Sequence, residues 1–75
     1  MRWQEHVVAT PDTLHGAPRF RGTRIPVSVV LDNLAAGVTP EELHAEYPTL
    51  PKEAVPAALA YAAALARDHI VPITA

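Results

Sequence analysis

The sequence predicts a mainly α-helical fold, a three-helix bundle of the helix-turn-helix type preceded by a small N-terminal β-hairpin. Apolar residues at helical spacing follow residue 26, a helix-capping signature lies at residues 39–42, and a strand-like segment precedes both. The 75 residues are expected to form a single domain. Its predicted parts are a hairpin and arginine loop over about residues 1–25, a helical bundle over about 26–70 and an extended tail over 71–75.

The hairpin is predicted from two short segments, roughly residues 6–10 and 18–21. In the second segment, period-2 alternation would place Phe20 on one face and Arg19 and Arg21 on the other. Gly22 is expected to mark a bend where the chain leaves the strand. A two-stranded hairpin is marginal alone, so its apolar side chains must pack against helices.

The first helix is predicted to follow Pro26 and to end near Gly37, which suits a left-handed terminal position. Spacings of three and four residues place its apolar side chains on one stripe. The stripe consists of Val27, Val30, Leu31 and Leu34.

The second helix has the clearest local signal in the chain. Thr39 is the predicted N-cap, Pro40 the first helical residue, and Glu42 completes a capping box. The helix is expected to stop near Tyr47, because Pro48 disfavours helical geometry in the residue before it.

The third helix is predicted over the alanine-rich segment that follows. Proline is tolerated only among the first four helical positions, so Pro56 implies a start no earlier than Glu53. Its apolar face is predicted to comprise Val55, Leu59, Ala62 and Ala66, with Ala58, Tyr61 and Leu65 flanking it.

Composition argues against several classes of function. There is no cysteine, so disulfides and thiolate metal sites are excluded. No two of the four histidines lie four residues apart, and no glycine-rich phosphate loop occurs. Ser28 is the only serine. We therefore expect a protein that is not an enzyme and that uses neither a metal nor another cofactor.

The longest apolar stretch, residues 57–66, is too short to span a bilayer, which favours a cytoplasmic protein.

The charges are distributed unevenly along the chain. Residues 1–24 carry four arginines against two carboxylates, a balance of +2, whereas residues 25–75 carry two basic residues against six carboxylates, a balance of −4. Such polarity suits docking onto another protein or contact between copies at least as well as it suits DNA.

Four segments carry a family resemblance: GAPRFRGTRIPV at 16–27, AGVTPEEL at 36–43, YP at 47–48 and AALAYA at 57–62. Together they resemble the domain-of-unknown-function family 433. The resemblance implies a homeodomain-like three-helix fold with an N-terminal β-hairpin. It also implies an antitoxin-type protein, because many members are regarded as antitoxins encoded beside a small PIN-like ribonuclease. One departure is Pro51, where the family usually has a polar N-cap; with Pro56 it alters the start of the third helix.

The candidate binding site is the arginine-rich loop that follows the second predicted strand. Its guanidinium groups and backbone amides could bind carboxylates of a partner protein or phosphate, or the loop could be a structural bend with solvated or ion-paired arginines. The candidate residues are Arg19, Arg21, Gly22, Thr23 and Arg24. A second candidate interface is the apolar tail, with Ile70, Val71 and Ile73.

The function expected from these features is a non-catalytic, antitoxin-like binding module that associates with and neutralises a PIN-like ribonuclease toxin, with a homodimer expected. The alternative is a DNA-binding helix-turn-helix autorepressor of its own operon. Alanine fills most of the third helix, so DNA contacts would come from the arginine loop and would be weak and salt-dependent. A homodimeric structural protein is a third possibility.

Overall fold

A computed structural model describes residues 1–68 as three α-helices with a two-stranded antiparallel sheet at the N-terminus. This confirms the predicted fold class. The regular elements are β1 (Val7–Val8), β2 (Arg19–Phe20), α1 (Val27–Ala35), α2 (Pro40–Glu46) and α3 (Ala54–Asp68). Two 3₁₀ turns, Trp3–Glu5 and Leu14–Gly16, lie before β1 and between the strands.

The hairpin pairs Val7 with Phe20 and Val8 with Arg19. Its strands fall inside the predicted segments but are only two residues long. As expected, alternation buries Phe20 completely, whereas Arg21 is exposed.

The predicted stripe of α1 is confirmed. Val27 and Val30 are buried, and Leu31 and Leu34 pack against the core. The helix ends in a Schellman motif around Gly37, whose φ is +90°. The Gly37 N–H donates to the Leu34 carbonyl at 3.0 Å, and the Val38 N–H donates to the Asn33 carbonyl at 3.0 Å.

The capping box of α2 forms as predicted. The Glu42 N–H donates to Thr39 Oγ1 at 3.2 Å, and the Thr39 N–H donates to Glu42 Oε1 at 3.1 Å. The Thr39 hydroxyl also donates to Glu42 Oε1, at 2.9 Å. The two hydrogen bonds that the carboxylate accepts, from the Thr39 backbone N–H and from the Thr39 hydroxyl, favour its ionised form and lower the pKa of Glu42. The helix ends at Glu46, one residue before Tyr47, as Pro48 implied.

The start predicted for α3 is confirmed, since the helix begins at Ala54 and Pro56 is its third residue. The face predicted for it is confirmed at Val55, which is buried, but it is wrong further along the helix. Leu59, assigned to the core face, is 52% exposed, and Ala66 is exposed as well. The buried residues are Ala54, Val55, Ala57 and Ala58.

An aromatic contact with the N-terminal 3₁₀ turn lies on the observed inner side of α3. The Trp3 ring meets the Tyr61 ring edge-on, with centroids 5.0 Å apart and planes inclined by 75°. Edge-to-face aromatic pairs contribute about 0.5–1.5 kcal/mol beyond area burial. Because buried and exposed sides of the helix both carry alanine, the alanine pattern alone does not indicate which side is buried.

Replacing Thr39 with alanine should lower the free energy of unfolding by about 1 kcal/mol, because the side-chain cap of α2 is lost. Urea denaturation measures this change. Thr49→Ala is the matched control, since Thr49 is an exposed turn residue with no side-chain hydrogen bond within residues 1–68. Equal effects of the two substitutions would contradict a capping role.

The penalty of Thr39→Ala should depend on pH. The pKa of Glu42 is lower in the folded chain, so the stabilisation from its ionised form is present above the ordinary glutamate pKa. It is lost as the pH falls through the lowered folded value. We therefore expect a smaller difference between wild type and variant at pH 3 than at pH 7; a constant difference would contradict this prediction.

Candidate functional site: the arginine loop

The arginine loop, residues 19–24, forms the tip of a second tight turn next to the hairpin. The Thr23 N–H donates to the Phe20 carbonyl at 3.0 Å, and the Phe20 N–H donates to the Ile25 carbonyl at 3.1 Å. Gly22 has a φ of +79°, which fits the third position of a type II turn. Gly22 therefore marks the predicted bend, and glycine adopts this conformation without strain.

Thr23 fixes the turn from within. Its hydroxyl donates to the Phe20 carbonyl at 2.8 Å and accepts from the Ile25 N–H at 3.0 Å. The single side chain thus gives the Phe20 carbonyl a second donor and satisfies the Ile25 N–H. Thr23 stabilises the loop and leaves little hydrogen-bonding capacity for a ligand.

Arg19 is bound to the loop and the hairpin. Its Nη1 donates to the Thr23 carbonyl at 3.1 Å, and its Nη2 lies 3.4 Å from Thr10 Oγ1. Its Nε is buried and has no hydrogen-bond partner within the described residues. The side chain is only partly exposed. Its hydrogen bonds hold the turn against the segment that follows β1.

Arg21 joins the loop to the N-terminal 3₁₀ turn. Its backbone N–H donates to the His6 carbonyl at 2.8 Å, and its Nε donates to the Glu5 carbonyl at 3.0 Å. The side chain is otherwise exposed, so its terminal nitrogens remain accessible.

Arg24 differs from the other two arginines of the loop. It is exposed, and its guanidinium forms no hydrogen bond or ion pair within residues 1–68. Pairing of the loop with the acidic second part of the chain is not seen in this range. The ion pair recorded there joins Arg2 and Glu5, both exposed, at 3.5 Å.

The second candidate interface, Ile70, Val71 and Ile73, lies outside the described residues. Within the described part of the chain, no group of three histidine, aspartate or glutamate side chains is placed to hold a metal ion. None of the helices described is long and apolar enough to cross a membrane.

The sequence analysis missed an apolar groove between α1 and α3, with a volume of about 230 Å³. It is lined by Ala17, Pro18, Val27, Ser28, Leu31, Tyr61 and Leu65. The predicted face of α3 does not indicate this groove, because Tyr61 and Leu65 only flank that face. Their spacing of four residues was the signal that could have indicated a shared face.

A strained turn lies directly before the groove. Leu14 and His15 have φ values of 52° and 54°, in the left-handed region that non-glycine residues rarely adopt, and Gly16 follows at 82°. Hydrogen bonds from Gly16 to Thr13 and from Ala17 to Leu14, each 3.0 Å, hold the turn. Ala17 and Pro18, which follow this turn, line the groove.

The fold and the loop define the class of protein. It is a three-helix domain with an N-terminal hairpin and an internally hydrogen-bonded arginine loop. Residues 7–62 match the family described as protein of unknown function (DUF433). The match covers most of the chain, including the arginine loop, and the protein belongs to this family.

Two relatives are similar to the chain. Uncharacterized protein y4eO of Sinorhizobium fredii is 41% identical over 61 residues, which cover 81% of this chain and 28% of that protein. The crystal structure of a DUF433 member protein from Anabaena variabilis shares 34% identity and a TM-score of 0.76, covering 87% of this chain and 64% of that one. The chain thus spans less than two thirds of the length of either relative.

The three loop arginines should differ in their effect on stability. Arg19→Ala removes two hydrogen bonds from a charged, partly buried group, so we expect a loss of about 1–2 kcal/mol in the free energy of unfolding. Arg24→Ala should change it by less than about 0.5 kcal/mol, as is usual for an exposed residue. Urea denaturation of both variants provides the measurement, and equal stabilities would contradict the structural role of Arg19.

Proposed function

We propose that the protein is a non-catalytic, antitoxin-like binding module of the cytoplasm that associates with and neutralises a PIN-like ribonuclease. The observation that carries the proposal is Arg24, whose exposed guanidinium has no hydrogen-bond or ion-pair partner within residues 1–68 and lies on an internally hydrogen-bonded turn. The resemblance to the family supplies the class of partner, since many members are regarded as antitoxins encoded beside a PIN-like ribonuclease.

The geometry of the loop suits the recognition of carboxylates on a partner protein. A guanidinium offers several N–H donors in one plane and can bind a carboxylate through two of them. Gly22 and Thr23 fix the backbone before binding, so little further conformational entropy is lost when a partner docks. Arg21, whose terminal nitrogens are accessible, can add a second contact beside Arg24.

The exposed side of α3 favours a protein partner over DNA. Pro56, Leu59, Ala63 and Ala66 occupy that side, and none can form the paired hydrogen bonds that read base edges. Arg67 near the end of the helix and Lys52 before its start could contact phosphates only. The autorepressor alternative would therefore depend on the arginine loop, with weak and salt-dependent affinity.

Charge reversal at Arg24 tests the proposal. The chain is co-expressed with the product of its neighbouring reading frame, and affinity is measured on the purified proteins by calorimetry. Arg24→Glu should weaken binding at least tenfold, about 1.4 kcal/mol, because like charges would face each other across the interface. The variant should retain the unfolding transition of the wild type, since the Arg24 side chain has no intramolecular partner in the described range.

Arg67→Glu is the matched control, because Arg67 is also an exposed arginine but belongs to the end of α3. Unchanged binding by Arg24→Glu would show that the loop is not the contact site. Absence of any complex with wild type, together with salt-sensitive binding to the upstream DNA, would favour the autorepressor instead.

A further inference from the structure

The inner side of α3 is covered over only half of its length. Ala58 and Tyr61 pack in or against the core, and Leu65 continues the same stripe at the next spacing of four residues. Leu65 is nevertheless 40% exposed, and none of residues 62–68 is buried. The second half of the helix therefore presents an inner apolar side that no other described element covers.

This uncovered side forms one wall of the apolar groove, and α1 forms the opposite wall. Val27 and Leu31 contribute from α1, and Pro18, which precedes that helix, also lines the groove. The groove has a volume of about 230 Å³, and Ser28 and Tyr61 are the lining residues with polar side-chain atoms. A concave, largely apolar site with few polar groups is typical of a binding site for bulky apolar side chains.

Helical spacing places two carboxylates beside the lining residues, at the rim of the groove. Asp32 directly follows Leu31 on α1, and Asp68 lies one helical turn after Leu65 on α3. Both are exposed, and neither forms an ion pair within residues 1–68. A complementary partner would therefore place a lysine or arginine beside the apolar side chains that enter the groove.

We propose that the groove is a second docking site for the partner protein, occupied by a segment that carries bulky apolar side chains next to a basic residue. This inference rests on the proposed function and adds to it a site of opposite charge to the arginine loop. Two sites of opposite charge on one domain admit a single orientation of the partner, because reversing it would place like charges together.

A second copy of the chain fits this groove less well. In a twofold dimer the same surface of both copies meets, so Asp32 and Asp68 would approach the acidic rim of the other copy. Like charges at such distances are unfavourable, particularly where the surrounding surface is apolar. The charge of the rim thus favours a different protein as occupant.

The test uses two leucines on opposite sides of the same helix. Leu65→Ser removes an apolar side chain from the groove, and Leu59→Ser removes a more exposed one from the outer side of α3. We expect Leu65→Ser to weaken binding of the neighbouring-frame product at least tenfold and Leu59→Ser to change it less than twofold. Thermal unfolding followed by circular dichroism verifies that both variants fold.

Asp32→Lys tests the charge of the rim, with Asp12→Lys as its control, since Asp12 is exposed but precedes the groove-forming segments. Only the first should weaken binding, and added salt should reduce the difference. Unchanged affinity of Leu65→Ser, combined with loss of binding in Arg24→Glu, would overturn the groove site and leave the proposed function intact.

Two other outcomes would overturn the inference in different ways. If the wild type binds no neighbouring-frame product, the proposed function fails and the groove site with it. If light scattering shows a wild-type dimer that Leu65→Ser converts to a monomer of unchanged affinity for the partner, the groove holds a second copy of this chain.

Discussion

The burial of Phe20 is the constraint on which the loop and the core both depend. Its side chain is the largest that is fully excluded from solvent, in the same cluster as Val27, Val30 and Leu43. The backbone of the same residue closes the arginine loop, because its N–H donates to Ile25 and its carbonyl accepts from Thr23. The loop therefore cannot shift relative to the helices without exposing a side chain whose burial contributes about 1.5–3 kcal/mol.

Short-range signals explain which parts of this arrangement the sequence alone could predict. The cap at Thr39 and the terminator at Gly37 involve residues at most five positions apart, so the local pattern is sufficient. Arg19 and Arg24 flank the same turn and are equivalent in the sequence. They differ in the structure because Arg19 donates to the Thr23 carbonyl within the turn and to Thr10, which the strand register of the hairpin brings near it.

The orientation of α3 could not be predicted for a related reason. Amphipathic patterning identifies a buried face only where polar residues mark the opposite face, and in this helix alanine occupies both. Trp3, which is distant in the chain, contacts Tyr61 on the inner side of the helix, and no local pattern indicates this contact. Leu65 lies four residues after Tyr61, lines the groove and follows the last buried turn of the helix.

Two features of the free domain lower its free energy of unfolding. Under the proposed function, binding of the partner would offset this loss. Leu14 and His15 occupy left-handed backbone conformations, each costing about 1–3 kcal/mol, and much of the core that α3 supplies is alanine, which buries little area. A ligand that binds only the folded chain stabilises it by about 2.7 kcal/mol at one hundred times its dissociation constant. The backbone of the buried Phe20 closes the arginine loop, and the left-handed turn leads into Ala17 and Pro18 of the groove. Under the proposed function, partner binding and folding are therefore thermodynamically linked, and the strained turn beside the groove is maintained most strongly in the complex.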